Sequence, residues 1–263
     1  MLSRAPLPAV EQGWSDGLDR KLWRFLARRA PARRVALAGP CAVASLTFDD
    51  VPDSAATVGA PLLERRGVAG TFYVAAEWCG RRDRHWRVAG RSEIRAVARA
   101  GHEIGCHTAR HVNVQSLGLP ELARECDRSR DLLIEICGQD PRHFCYPFGD
   151  LGLSQKRYLA GRFATCRSIY ESPNLGRIDP ALLGAVGLFD AGYDRERLAV
   201  LVRRTVEARG WLILYTHDVA AEPTPIGASP RILDEALTLL ADHGVPVLTM
   251  SDAARHHGLL PRD

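Results

Sequence analysis

Ser45-Leu46-Thr47-Phe48-Asp49-Asp50 is the stretch around which the rest of this chain is organised. A short apolar run, Ala42 to Phe48, stops at two adjacent carboxylates. The run predicts a buried strand with the carboxylates at its C-terminal end. That edge is where α/β sheets and barrels gather ligands and catalytic groups. Two neighbouring Asp repel each other, so keeping both there calls for a cation or a division of roles. A solvated acidic turn after a strand is the plainer alternative.

A second stretch, His107-Thr108-Ala109-Arg110-His111, follows another short apolar strand, Glu103 to Cys106. Two His at i and i+4 lie on one face of a helical turn, close enough to share a metal. Together with an Asp they make a ligand set that suits zinc or a similar divalent ion, with positions left open for water and substrate. His217 ends the apolar run Trp211 to Thr216 and is a residue able to move a proton near neutral pH. Its alternative reading is a hydrogen-bonded His at a strand end.

In order along the chain stand Thr47-Phe48-Asp49-Asp50, His107-Thr108-x-x-His111, Tyr146-Pro147-Phe148-Gly149 and Leu214-Tyr215-Thr216-His217-Asp218. This series resembles the polysaccharide deacetylases, the NodB-homology group or carbohydrate esterase family four, over about residues 42 to 250. The resemblance implies an irregular (β/α) barrel, often seven-stranded. It implies that Asp50, His107 and His111 hold the metal, that Asp49 is the general base and that His217 protonates the departing amine. The backbone N–H of Phe148 would help form an oxyanion hole, while Thr108, Tyr146 and Pro147 would brace or line the substrate site. Zinc is the default ion, and cobalt, manganese or nickel would fit the same donors.

The sequence departs from the family pattern in three places. The Gly often found after the Asp pair is Val51, ahead of Pro52, which predicts a stiffer loop. The Arg often found two positions before the Pro of the third motif, where it pairs with the catalytic Asp, is Cys145. No aromatic fourth motif stands out, and Asp190, Asp179 and Asp218 compete to orient His217.

At 263 residues the chain is long enough for one large α/β domain. Its net charge of +4 is mild and makes no case for nucleic acid as a partner. Residues 1 to 35 read as a helical extension in which Trp14, Leu18, Leu22, Phe25 and Leu26 fall at helical spacing among basic residues. Such a helix packs on the barrel or rests on an anionic membrane surface. From residue 36 to 263 strands and helices alternate, which implies a parallel sheet with helices outside. Strands are predicted at 42–48, 70–75, 102–106, 143–146, 163–168, 185–189, 211–216 and 245–250. Helices are predicted at 55–66, 92–100, 119–137, 195–209 and 230–243.

The N-terminus lacks the apolar core and cleavage site of a signal peptide. Seven Cys with no C-x-x-C pair read as free thiols in a reducing compartment, with Cys106 and Cys145 beside the motifs. The expectation is a metal-dependent hydrolase in the cytoplasm, free or at the inner face of the membrane. It would remove an N-acyl group, most simply acetyl, from an amino sugar that is an intracellular or lipid-linked precursor of surface polysaccharide or lipopolysaccharide. A deformylase of a formamido sugar, a hydrolase of another amide or ester, and a glycan-binding barrel without turnover are the alternatives.

Overall fold

The computed structural model describes residues 25–261. Most of the expected N-terminal stripe, Trp14, Leu18 and Leu22 included, lies outside those residues. Nine strands follow in chain order: β1 (Val35–Ala36), β2 (Val43–Asp49), β3 (Thr71–Val74), β4 (Glu103–Cys106), β5 (His143–Cys145), β6 (Thr165–Arg167), β7 (Arg177–Ile178), β8 (Val186–Gly187) and β9 (Trp211–Thr216). Seven of them form one sheet in the order β6-β5-β4-β3-β2-β9-β8, every pair parallel. β1 and β7 pair apart from it, antiparallel.

The sheet curls as a (β/α) barrel, and one segment joins its two edges. Leu183 bridges Arg167 of β6, and three residues later Val186–Gly187 pairs with β9. β2 lies near the middle of the sheet with all seven residues buried, as a strand covered on both faces requires. Outside lie α2 (Ala60–Arg65), α3 (Arg91–Arg99), α4 (Leu119–Cys137), α5 (Leu153–Ala160), α6 (Arg195–Glu207), α7 (Pro230–Asp242) and α8 (Met250–His256). The first helix, α1, covers residues 25–29 of those described. It docks through buried Ala27, with Phe25 and Leu26 exposed. The buried Lys156 ammonium donates to the carbonyls of Ala27 and Ala30 and pairs with Asp179.

The structure corrects two predicted elements and adds a helix that was not expected. Val245 to Met250 is no strand: it makes a single bridge, Val247 to Ala44, and then turns into α8. The reason is Thr249, whose hydroxyl accepts the Asp252 N–H and caps that helix instead of extending the sheet. α3 begins at Arg91, not Ser92, because Glu93 reaches back to the Gly90 N–H as in a capping box. α5 was not predicted, since its apolar pattern is weak and it is short.

α8 closes the N-terminal end of the barrel. There Glu103 accepts from the Thr71 hydroxyl (2.9 Å) and the Ser251 N–H (3.1 Å). His143 bonds Thr165 (2.7 Å) and Ser251 (3.0 Å). Thr71, Glu103, His143 and Thr165 are the first residues of their strands, so this polar plug ties four strands to one helix. The opposite, C-terminal end is left open.

Candidate active site

Asp49 is the last residue of β2, and the chain leaves the strand through a forced turn. Asp50 and Val51 have φ of 58° and 48°, and the Val51 N–H bonds back to the Asp49 carbonyl at 2.6 Å. Left-handed backbone costs a β-branched residue on the order of 1–2 kcal/mol. Val51 therefore holds the shape a Gly would take freely, and its side chain is fully buried. The turn aims Asp50 across the barrel mouth toward His107 and His111.

The two His do not lie on a helical turn. Thr108 and His111 have φ of 61° and 53°, and the loop doubles back on itself. The Thr108 hydroxyl accepts the Val112 N–H (3.1 Å), and the Glu125 carboxylate of α4 accepts the N–H groups of Ala109 (3.2 Å) and Arg110 (3.1 Å). This bracing brings the imidazole centroids to 4.9 Å, which helical i,i+4 spacing was expected to do. His107 Nδ1 bonds the Cys145 carbonyl at 2.8 Å, leaving Nε2 facing Asp50.

The donor atoms of Asp50, His107 and His111 all lie within 4.8 Å of one another. Asp50 Oδ1 is 3.1 Å from His111 Nε2 and 3.5 Å from His107 Nε2, yet this buried oxygen makes no hydrogen bond. Three lone-pair donors facing one point, one of them buried without a bonded partner, fit a divalent cation. Burial, and then the neighbouring His111, push the pKa of His107 down to about 4, so it is neutral, as a ligand must be. Asp49, His107 and Cys145 form a second grouping. Burial holds the Cys145 thiol well above its ordinary pKa, so it stays protonated and is a poor ligand.

Asp49 is 3 % exposed, and the fully buried guanidinium of Arg167 bonds its Oδ1. Arg167 ends β6, directly opposite Cys145 in the β5–β6 register. Its Nη2 lies 2.7 Å from Cys145 Sγ, and its guanidinium lies 5.2 Å and 4.9 Å from the ring centroids of Tyr73 and Tyr215. Burial alone would raise the Asp49 carboxyl. The Arg167 charge, helped by His107 and His217, outweighs it and holds the pKa below the ordinary value. The guanidinium missing at position 145 is thus supplied from the neighbouring strand.

His217 follows β9 and is oriented by a backbone carbonyl, with Nδ1 3.1 Å from the Ile226 oxygen. None of the three candidate Asp reaches it. Asp190 accepts the Ser229 N–H, Asp179 takes Lys156 and the Ala32 N–H, and Asp218 holds Thr224. Trp86 lies near-parallel to the His217 ring at 5.8 Å. Phe148, φ 61°, is 60 % exposed and packs edge-on against His111 at 4.6 Å, with Trp78 also beside that ring at 5.3 Å. Tyr146 and Pro147 are buried, and the Tyr146 hydroxyl donates to the Ala181 carbonyl. With Thr108, also buried, they brace the site from inside and present no side chain to solvent.

Residues 37–161 match the family model described as polysaccharide deacetylase. That segment, nearly half of the chain, carries the homology to polysaccharide deacetylases. Solved structures of similar fold cover nearly all of the barrel. A protein described as a putative polysaccharide deacetylase from Mycobacterium smegmatis aligns with a TM-score of 0.60 at 20 % identity, over 89 % of this chain and 97 % of its own. A family 4 acetyl xylan esterase from Clostridium thermocellum, in complex with a cobalt ion, aligns at 0.57 and 22 % identity, over 81 % and 90 %. A peptidoglycan N-acetylglucosamine deacetylase aligns at 0.56 and 18 % identity, over 87 % and 95 %.

Four functional neighbours in this chain escape a reading of the sequence. Arg167, Glu125, Trp86 and the Ile226 carbonyl lie outside the four motifs. Only Arg167 carried a signal: it is a charged residue closing a predicted strand, where a barrel would bury it.

Proposed function

We propose that this chain is a metal-dependent hydrolase that removes an N-acyl group, acetyl in the simplest case, from an amino sugar. One observation carries the reading. A three-donor cation site, an Asp held ionised by a buried Arg, and a His fixed by a backbone carbonyl share one barrel mouth.

When bound at Asp50, His107 and His111, a divalent ion, zinc by donor set, polarises the acyl carbonyl and acidifies water. Asp49 accepts the proton of the water that attacks the amide carbon; Arg167 keeps it ionised and fixed in place. His217, with Nδ1 committed to Ile226, keeps Nε2 for the departing amine. The Phe148 N–H, in a left-handed turn at the rim, is assigned to the developing oxyanion, where one fixed donor is worth about 3–4 kcal/mol. Trp86 and Phe148 form apolar walls that suit a sugar ring between them.

The substrate assigned is an intracellular or lipid-linked precursor of a surface glycan, deacylated in the cytoplasm. Support comes from seven cysteines that are all unbridged, as a reducing compartment keeps them. Among the described residues no helix is long and apolar enough to cross a membrane.

Acetate and formate release from a panel of N-acyl amino sugars tests the reading, with zinc-loaded wild type beside Asp49→Asn. Release by wild type, lost in the variant while bound zinc persists, supports it. Equal release by both removes Asp49 from the chemistry. Absence of stoichiometric metal overturns it in favour of a binding barrel.

A further inference from the structure

We propose that the hairpin of residues 81–88 is an anion subsite that holds the phosphate or diphosphate of a glycosyl phosphate. The inference rests on the amino-sugar reading above and narrows its substrate class.

The hairpin is short and regular. Val88 N–H bonds the Arg81 carbonyl, Asp83 N–H bonds the Trp86 carbonyl, and Arg82 faces Arg87 across it. Its base is fastened to the loop that carries the two catalytic-end carboxylates: Pro52 bridges Val88, the Asp53 N–H bonds the Arg87 carbonyl, and the Ala89 N–H bonds the Val51 carbonyl. Near its tip Trp86 leans over His217. The hairpin is therefore part of the rim of the site.

Its charge is one-sided: four arginines stand against one aspartate over residues 81–87. Arg87 is committed to Asp53 (3.0 Å) and Glu93 (2.6 Å). Arg81, Arg82 and Arg84 are exposed, and among the described residues they form no ion pair. Some arginines elsewhere are matched, Arg66 with Asp234 and Arg110 with Glu125 among them, and others such as Arg203 and Arg204 are not among the described residues, so what sets these three apart is their place on the rim. Trp86 belongs to the same hairpin. The Trp86 indole N–H is buried and makes no hydrogen bond among the described residues.

Chemistry connects these features. In a 2-acylamino sugar the anomeric carbon adjoins the amide-bearing carbon. A sugar stacked on Trp86, with its amide at His217 and the metal donors, therefore has its glycosidic phosphate within one ring of the hairpin. Guanidinium groups match phosphate oxygens bidentately, which neutral polysaccharide would not need.

The test is binding, read by calorimetry on the zinc-loaded full chain with N-acetylglucosamine 1-phosphate and N-acetylglucosamine as probes. Wild type is expected to bind the phosphorylated sugar at least about tenfold more tightly. Arg81→Ala/Arg82→Ala/Arg84→Ala should abolish that preference and leave affinity for the neutral sugar unchanged. Arg203→Ala/Arg204→Ala on α6, which removes charge elsewhere, should keep it. Equal affinity of wild type for both sugars overturns the proposal, as does a preference that survives the triple variant. A phosphate preference without acetate release would sink the deacylation reading and leave the subsite standing. Acetate release from UDP-linked and polyprenyl diphosphate-linked N-acetylglucosamine separates the two carriers. A faster reaction with either names the carrier, while neither exceeding the free sugar counts against the subsite.

Discussion

Replacing Arg167 by Met tests the central electrostatic claim. The substitution keeps much of the apolar stem and deletes a charge that is wholly buried against Asp49. Breaking a buried ion pair from one side costs about 3–5 kcal/mol, because the remaining charge is left without a partner in low dielectric. For a chain of this size that is a fall in Tm of roughly 6–20 °C. The pH dependence gives a sharper signature. In wild type the folded Asp49 carboxyl lies below its ordinary value, so it contributes stability above the unfolded pKa and loses it as pH falls through the folded one. Without Arg167 the largest influence left is burial, which raises the carboxyl. The sign then inverts: stability is present below the unfolded pKa and is lost as pH rises through the folded value. Calorimetric Tm measured from pH 4 to pH 8 should thus show a deficit that widens with pH, and the acid limb of kcat/KM should move upward. Adding Asp49→Asn should recover much of the deficit, since an amide needs no counter-charge. A variant with wild-type Tm at all pH values and an unmoved acid limb would refute the reasoning.

Metal-free protein should be acid-labile well above the carboxylate range. His107 and His257 are both pushed down to about 4, chiefly by burial, and His102 and His143 are lowered for the same reason. The unfolded chain binds these protons from about pH 6.5, so stability should fall by about 3 kcal/mol between pH 6.5 and 5 from the first two alone, read from urea midpoints. Stability that stayed flat across that window would count against the neutral, buried state of these rings. Glu125→Gln should weaken zinc binding about 10- to 100-fold, with little change in fold, because that carboxylate sets the His107–His111 turn from behind; competition with a chromogenic chelator checks it. Lys156→Met should cost about 3–5 kcal/mol, since it strands Asp179 and uncaps α1. Susceptibility to proteolysis near residue 30 should rise with it, and an unchanged cleavage pattern would show that α1 is held by other contacts.

Seven of the eight predicted strands stand within a residue or two of their expected places, because each is a short apolar run with both faces to bury. The eighth failed where the same apolar spacing, Val245 to Met250, meets a Thr able to cap a helix. Asp50, His107 and His111 lie together by a backbone route that periodicity does not reveal, since the i,i+4 spacing spoke only of the two His and of a helical turn that is not there. Positive φ at Val51, Thr108 and His111 is imposed by tertiary bracing, and none of these residues advertises it. The orienting group of His217 was invisible for a related reason: a backbone carbonyl has no letter in the sequence.

The displaced arginine shows what a linear motif encodes. Cys145 and Arg167 are paired across adjacent parallel strands, so their side chains stand side by side at one level of the barrel. Asp49 senses the guanidinium and is indifferent to the strand that carries it. Exchange of the two positions, Cys145→Arg with Arg167→Cys, is expected to keep Asp49 paired, because Cys145 Sγ already lies 3.7 Å from Asp49 Oδ2. That double variant should hold a higher Tm and a lower acid limb than Arg167→Cys alone. A double variant no better than the single one would mean that the β6 backbone, through the Arg167 Nη1 bond to the Ser168 carbonyl (3.1 Å) and the flanking Tyr73 and Tyr215 rings, fixes the guanidinium in a way β5 cannot reproduce.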